Sequence, residues 1–353
     1  MTRVLAVRSV FPPHRYPQPL ITRALARCLP PGADAARLRR VHAAAGVETR
    51  HLALPLEEYG PGGDFGAANA RFVATASELG AAAVDAAFAG ADLDPGEVGT
   101  VLSTTVTGLA TPSLEARLAD RCGLRPDVRR LPLFGLGCAA GAAGLGRVHD
   151  MLTGRPADAA LLLSTELCSL TLQPSDTSMA NLVAGALFGD GAGALVAVGA
   201  EHPRHGSGAG PLVVDARSRL YPGTGDLLGW DIGHWGFRMV LGRELPELVR
   251  MHVAEEVESF LAGHDLKPGD VDVWVCHPGG PRILDVLAEA LGLSGEAFAA
   301  SRRSLAEVGN LSSASVLHIL GGVQSAGPPA PGAVGLMLAF GPGFASELVL
   351  LRW

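Results

Sequence analysis

The sequence predicts an α/β fold assembled from two duplicated halves. Three observations carry that reading. Short apolar runs of strand length alternate with helical patterns along the chain. A Gly-rich elbow, Gly137-Cys138-Ala-Ala-Gly-Ala-Ala-Gly-Leu145, is echoed 172 residues on by Gly309-Asn310-Leu-Ser-Ser-Ala-Ser-Val-Leu317. Two further segments recur in the same order. Asp92-Leu-Asp-Pro-Gly-Glu-Val-Gly-Thr-Val101 returns as Asp265-Leu-Lys-Pro-Gly-Asp-Val-Asp-Val-Trp274, and Phe188-Gly-Asp-Gly-Ala-Gly-Ala-Leu195 as Phe340-Gly-Pro-Gly-Phe-Ala-Ser-Glu347. One echo is a coincidence, but three in order are a duplication. The halves run over 1–210 and 211–353.

In chain order, Val4–Val10 opens as a strand, followed by a loop at Gly60–Gly66 and a helix over Thr75–Ala89. Val98–Thr105 is a strand entered from the first echoed turn, and Ser113–Arg121 is helical. The small residues of Ala139–Met151 make a helix against which another backbone packs closely. Ala159–Ser164 and Ala192–Val198 are strands, most of these runs being bounded by Gly, Pro or Asp. After a loop at Gly206–Gly210, the second half alternates the helix Pro246–Gly263, the strand Val271–Cys276, and the helices Arg282–Leu291 and Ser312–Leu320. Gly327–Gly332, with three prolines, leads into the closing strands Val334–Ala339 and Glu347–Leu351. Continuously apolar strands between helices predict buried, mostly parallel sheets.

Composition narrows the class. With 353 residues, 48% hydrophobic and 18% charged, the chain buries a large core and is not disordered. A net charge of −7 argues against nucleic acid as a partner. Five cysteines without paired spacing argue against a disulfide framework or a metal knuckle. No metal is expected. The apolar runs are too short for stable membrane insertion and the N-terminus lacks a signal-peptide core, so the expected location is cytoplasmic.

Cys138 sits between a strand and the first turn of a helix, near unpaired backbone N–H groups and the positive helix end that favour a thiolate. The alternative is a small buried residue in tight helix packing. His277 follows the strand Val271–Cys276 in the loop His277-Pro-Gly-Gly-Pro281, at a strand C-terminus where α/β sites form; a satisfied histidine at a strand end is the other reading. Asn310 is an oxyanion donor or a helix N-cap. A two-fold relation between the halves brings the two elbows face to face.

Taken together, these residues resemble the type III polyketide synthases, the chalcone synthase-like branch of the thiolase superfamily. The matching segments are Gly137-Cys138-Ala-Ala-Gly141, Gln173-Pro-Ser-Asp-Thr177, Leu187-Phe-Gly-Asp-Gly-Ala192, His277-Pro-Gly-Gly-Pro-Arg-Ile-Leu-Asp285, Gly309-Asn-Leu-Ser-Ser313 and Phe340-Gly-Pro-Gly343. The resemblance implies a thiolase-like five-layer αβαβα fold and an acyltransferase that takes CoA thioesters, acyl-CoA and malonyl-CoA, with no tightly bound cofactor. It implies that Cys138 carries the acyl chain, with His277 as its ion-pair partner. His277 and Asn310 stabilise the enolate from malonyl-CoA decarboxylation, and Phe188 lies beside the cysteine. Core packing is the plain alternative for Phe188. Arg37 and Arg40 match two of the family's three cationic positions for CoA, while Ala44 stands at the third; a solvated helix face is the alternative. Gly279, Gly280 and Arg282 would flank the pantetheine arm.

The segments Glu166–Pro174 and Gly229–Met239 look like bacterial alkylpyrone and alkylresorcinol synthases. The resemblance places Thr107, Thr111, Cys168, Thr171, Ser312 and Pro342 around the cavity, with Val213 and Met239 at its gate. Thr171 replaces a cysteine common in malonyl-primed tetrahydroxynaphthalene synthases, which favours an acyl starter and an alkylpyrone or alkylresorcinol-type product. The alternatives are a tetrahydroxynaphthalene-type synthase, a β-ketoacyl-carrier-protein synthase III-like enzyme, an HMG-CoA synthase-like enzyme, and a non-catalytic thiolase-fold partner subunit. The family also implies a homodimer in which the Thr111-Pro112 loop approaches the partner's cavity.

Overall fold

The computed structural model describes residues 1–60, 64–207 and 210–353. Residues 61–63 and 208–209, within the predicted loops Gly60–Gly66 and Gly206–Gly210, lie outside the described residues. Up to Val198 the chain forms β1 (Thr2–Val10), β2 (His14–Pro17), α1 (Gln18–Cys28), α2 (Ala35–Ala43), β3 (Thr49–Leu52), α3 (Phe65–Ala91), β4 (Val98–Thr104), α4 (Leu114–Leu118), β5 (Arg129–Leu133), α5 (Ala140–Gly154), β6 (Ala159–Leu167), α6 (Met179–Leu187) and β7 (Asp190–Val198). The remainder forms β8 (Leu212–Leu220), β9 (Leu228–Gly233), β10 (Gly236–Leu241), α7 (Leu245–Leu248), α8 (Ala254–Ala262), β11 (Val273–Cys276), α9 (Pro281–Ala290), α10 (Ala299–Val308), α11 (Ser315–Ser325), β12 (Val334–Gly341) and β13 (Ala345–Arg352). Each strand and helix expected from the sequence has a counterpart. The long helix expected over Pro246–Gly263 is divided, with a π-helical turn at Val249–Val253 between α7 and α8.

Nine strands join in the order β11-β12-β13-β8-β1-β7-β6-β4-β5. β8 and β1 meet at Thr2↔Val213 and Arg3↔Leu212, and the pairing repeats on either side of this seam. On one side β4 runs parallel to β6, β6 antiparallel to β7, and β7 antiparallel to β1. On the other β11 runs parallel to β12, β12 antiparallel to β13, and β13 antiparallel to β8. The sheet is therefore mixed, not mostly parallel. β4, β6, β7 and β12 are buried along their whole length because helices cover both faces, and that coverage produces the same sequence pattern as parallel pairing.

Alternation along the strands separates three apolar layers. Leu161 and Leu163 of β6 face α3, with Val196 of β7, in one cluster. Leu162 and Leu195 face inward, against Leu145 of α5 and Val316 and Leu320 of α11, together with Met337 and Val349 from the far side of the sheet. Leu336, Leu338 and Leu350 face outward onto Val253, Phe260, Leu284 and Leu287. Helix, sheet, paired α5 and α11, sheet and helix make the five-layer αβαβα thiolase-like arrangement. At 27 residues, α3 is long and apolar enough by composition to cross a membrane, but half of its most apolar stretch is buried inside this fold.

The duplication is visible in the backbone. The echoed turns place Asp92 (φ 49°) and Asp265 (φ 59°) in the left-handed region, and each is followed by a 3₁₀ turn, at Pro95–Glu97 and Pro268–Asp270. The elbow corrects the sequence alignment by three residues. Gly137 (φ 52°) corresponds to Ser312 (φ 51°), because the 3₁₀ turns Gly137–Ala139 and Ser312–Ala314 each lead into a central helix. The true counterpart of Cys138 is Ser313. Asn310 lies three residues ahead of the position the sequence echo gave it.

Candidate active site

Cys138 occupies the 3₁₀ turn that opens α5, where the backbone must approach its neighbours closely. Gly141 faces the Ser313 carbonyl, where a Cβ would also lie 2.7 Å from Val316 Cγ2. Gly341 packs on the same turn, where a Cβ would lie 2.7 Å from Ala139 Cβ. Glycine at these two positions lets the elbows and the closing hairpin meet around the thiol. Cys138 Sγ donates to Ser312 Oγ at 3.6 Å.

His277 continues β11 beyond its end, its N–H donating to Leu338 O at 2.8 Å. Gly279 N then donates back to His277 O at 3.0 Å, turning the chain toward α9 and aiming the imidazole off the strand end. Asn310 is clamped through its backbone to the loop after α6: its N–H donates to Leu187 O at 2.8 Å and its carbonyl accepts from Gly189 N at 3.0 Å. This short parallel bridge brings Phe188 and Asn310 side by side. Asn310 Oδ1 accepts from Ser312 N at 2.8 Å, which leaves Nδ2 facing His277 Nε2 at 3.5 Å.

Cys138, Phe188, His277 and Asn310 converge on one largely apolar cavity of about 470 Å³. Burial pushes the Cys138 thiol up to about 12, partly opposed by the Ser312 bond, and pushes the His277 imidazole down to about 3. Each group alone is held neutral. Behind the elbow, fully buried Glu166 accepts from Ser313 Oγ, from Thr107 Oγ1 at 2.9 Å and from Val106 N at 3.1 Å. Desolvation raises its pKa. A thiol, an imidazole and a carboxamide beside an aromatic ring are suited to acyl transfer and to holding a developing oxyanion.

Comparison with known proteins decides the family. The Chalcone and stilbene synthases N-terminal domain matches residues 66–202 and the C-terminal domain of the same family matches 212–353. The chain belongs to the chalcone and stilbene synthases, which are type III polyketide synthases. It is 54% identical to a 1,3,6,8-tetrahydroxynaphthalene synthase of Streptomyces peucetius subsp. caesius, over 100% of this chain and 93% of that one. It is 34% identical to an alpha-pyrone synthesis polyketide synthase-like protein, Pks18, of Mycobacterium tuberculosis, over 75% of this chain and 67% of that one. The solved structure of 1,3,6,8-tetrahydroxynaphthalene synthase from Streptomyces coelicolor A3(2) has a TM-score of 0.93 at 31% identity, covering 99% of both chains.

Within this type III polyketide synthase, the expected cavity residues divide. Met239 lines the main cavity, as do Gly279, Gly280 and Arg282. Cys168 and Thr171 line a side pocket of about 10 Å³ that Phe188, Trp230 and Met239 close. Ser312 reaches the site through its contact with Cys138. Val213 does not line the site: it is fully buried in β8, facing the central helices, because the strand register turns it inward. Thr107 lies outside the main cavity, bound to Glu166 and to Leu167 N. Thr111 is exposed, and Pro342 packs on Gly137 beneath the elbow without lining the cavity. Arg37 and Arg40 are exposed on α2, whose apolar Val41, together with Ala44 and Ala45 just beyond, reaches the cavity wall.

Among the lining residues that carried no site assignment in the sequence, Trp230 and Arg243 stand out for what they add. Trp230 faces the side pocket opposite Met239, its cross-strand partner in the β9–β10 hairpin. Alternation about that hairpin's tight turn was the available signal. Arg243 stands at the wall near α7, adding a cation the basic segment of α2 did not suggest.

Proposed function

We propose that this type III polyketide synthase primes with malonyl-CoA and builds a 1,3,6,8-tetrahydroxynaphthalene-type product, with Cys138, His277 and Asn310 as its catalytic set. The observation that carries the reading is the 54% identity to a tetrahydroxynaphthalene synthase over the whole chain. Beside the main cavity of about 470 Å³, the side pocket at about 10 Å³ adds room for roughly one water molecule and does not extend the cavity into a tunnel for a long alkyl chain. The alkylpyrone or alkylresorcinol product expected from Thr171 has weaker support, in the 34% identity to the alpha-pyrone relative.

In this reading Cys138 Sγ attacks the thioester carbonyl of the starter while its proton passes to His277. CoA leaves as its thiol, taking that proton, and the acyl group remains on sulfur. An extender malonyl-CoA then binds with its thioester oxygen between His277 and Asn310 Nδ2. Its carboxylate departs as CO2, the electron pair moves into the enolate those donors hold, and the carbanion attacks the acyl-Cys138 thioester, breaking the C–S bond so that Cys138 leaves as the thiolate and the extended β-ketoacyl chain stays on CoA, ready to be reloaded on Cys138. The apolar ring of Phe188 disfavours the charged malonyl carboxylate over the uncharged CO2. Gly279 and Gly280 admit the pantetheine arm closely, while Arg282 and Arg243 at the cavity wall, with Arg37 and Arg40 on the exposed face of α2, supply positive charge toward the CoA phosphates. Residues 1–210 thus bring the nucleophile and 211–353 the imidazole and carboxamide. The enzyme is a cytoplasmic homodimer, exposed Thr111 meeting the partner's cavity; a monomeric mass by light scattering would contradict this.

The test is a starter panel. Malonyl-CoA alone and C2 to C18 acyl-CoAs with malonyl-CoA are compared by product mass. The malonyl-only product should dominate; a dominant alkyl-primed pyrone would overturn the reading.

A further inference from the structure

Arg50, on β3, is the largest fully buried side chain among the described residues, at 1% exposed. A buried guanidinium is costly unless its surroundings hold it, and packed apolar residues would serve stability as well. Its contacts lie at the seam between two pieces of the site. Nη1 donates to the Phe188 carbonyl at 2.6 Å, and Nε donates to Gln18 Oε1 at 3.0 Å. Gln18 Nε2 in turn donates to Ala186 O at 2.8 Å, so both anchors end on the stretch 186–188.

The aliphatic stem faces the other piece. A Cβ on Gly309 would lie 3.0 Å from Arg50 Cγ and Cδ, so the stem packs on the backbone immediately before Asn310. The strand around Arg50 is tied to the end of α10, which leads into that turn: Glu48 N donates to Ala306 O at 2.8 Å, and Thr49 Oγ1 donates to Glu307 O. The nearby countercharge is Asp190, two residues past Phe188 and fully buried. Its carboxylate accepts from Ala53 N at 2.6 Å and Ser169 N at 2.8 Å, fixing the end of the strand that carries Arg50. Arg50 therefore touches Phe188 through its charge and the Asn310 turn through its stem, but neither Cys138 nor the cavity.

We propose that Arg50 is a positioning residue for malonyl decarboxylation, holding Phe188 and Asn310 at their mutual spacing without acting on the Cys138 thiol. The assignment rests on the roles given above to Asn310 and Cys138. It separates two steps that share one cavity: acyl loading uses Cys138 and His277, while decarboxylation also needs the Asn310 amide beside Phe188. Loss of spacing of the order of 1 Å in an oxyanion donor costs about a hundredfold in rate.

The test uses the full-length enzyme with Arg50→Lys, which keeps the charge but loses the planar fork, and with Arg50→Met/Asp190→Asn, which removes both buried charges together. Loading of Cys138 is read by intact mass after a short exposure to an acyl-CoA, and decarboxylation by CO2 release from malonyl-CoA. At least one folded variant should load to wild-type stoichiometry while decarboxylating tenfold or more slowly. Decarboxylation that stays proportional to loading in both variants overturns the proposal, as does failure of both to fold. If the wild-type enzyme itself does not load on Cys138, the earlier assignment fails and not this one.

Discussion

Substitution of Gly141 by alanine tests the contact between the two elbows. The added Cβ meets the Ser313 carbonyl oxygen, well inside van der Waals contact, and Val316 Cγ2 at 2.7 Å. A carbonyl cannot rotate away as a side chain can. Ser313 is also held from behind, its Oγ bonded to Glu166 and, at 2.7 Å, to Ser164 Oγ. Relief therefore comes from moving the 310–313 turn, which carries the Asn310 amide and the Ser312 hydroxyl. Overpacking of this kind costs about 1–3 kcal/mol. A shift of about 1 Å at the oxyanion donor costs roughly a hundredfold in rate. The control is Gly144→Ala, whose Cβ would meet Leu162 Cδ1 at 2.7 Å, the movable end of a side chain. Thermal unfolding and CO2 release from malonyl-CoA are the assays. Gly141→Ala should lose activity far beyond its loss of stability, and Gly144→Ala should lose little of either. Equal effects at the two positions, or a fully active Gly141→Ala enzyme, would refute the reasoning.

His277→Gln leaves the Cys138 thiol under its burial penalty without a proton acceptor, so iodoacetamide labelling should become confined to alkaline pH; labelling at neutral pH as fast as in wild type would contradict the pairing. Trp230→Ala should open the side pocket and raise the yield from medium-chain acyl-CoA starters, measured by product mass; an unchanged product profile would remove Trp230 as a size limit. Acid should destabilise the fold through His277 and His42, both lowered from 6.5 to about 3 by burial. The unfolded chain takes up protons below about pH 6.5 and the folded chain does not until about 3, so stability falls with pH across that window. At pH 5 the loss is up to about 2 kcal/mol per histidine, read as a lower urea midpoint; an unchanged midpoint between pH 7 and 5 would count against buried neutral imidazoles.

The fold was legible where its signals are local. The echoed turns hold left-handed Asp92 and Asp265, and the alternating faces of β6, β7, β12 and β13 sort residues between layers as period-two patterns require. Strand direction was not legible, because two covered faces look alike in parallel and antiparallel sheets. β8, like α1, α2, β2, β3, α6, β9, β10 and α10, was not assigned from the sequence; its polar end, Asp215-Ala-Arg-Ser-Arg219, half-buried and then exposed, breaks the apolar run although it pairs with β13. At the site, the motif residues Cys138, His277, Asn310 and Phe188 do meet at one cavity. The sequence alignment could not see that Ser312, not Gly309, takes the left-handed position equivalent to Gly137, since nothing in the residue type marks a serine for positive φ. Val213 was misplaced for a related reason: one step of strand register decides whether a side chain faces the central helices or the outer face of the sheet. Arg50 stayed hidden because a buried arginine and a surface one are identical in sequence.

The central claim is a malonyl-derived starter on Cys138. The most direct measurement is turnover with uniformly carbon-13-labelled malonyl-CoA in the presence of an unlabelled acyl-CoA mixture, with mass spectrometry of the product. A product labelled at every carbon, and absent with Cys138→Ala, is the predicted result. A product retaining an unlabelled alkyl unit, or labelled product from the Cys138→Ala enzyme, would contradict it.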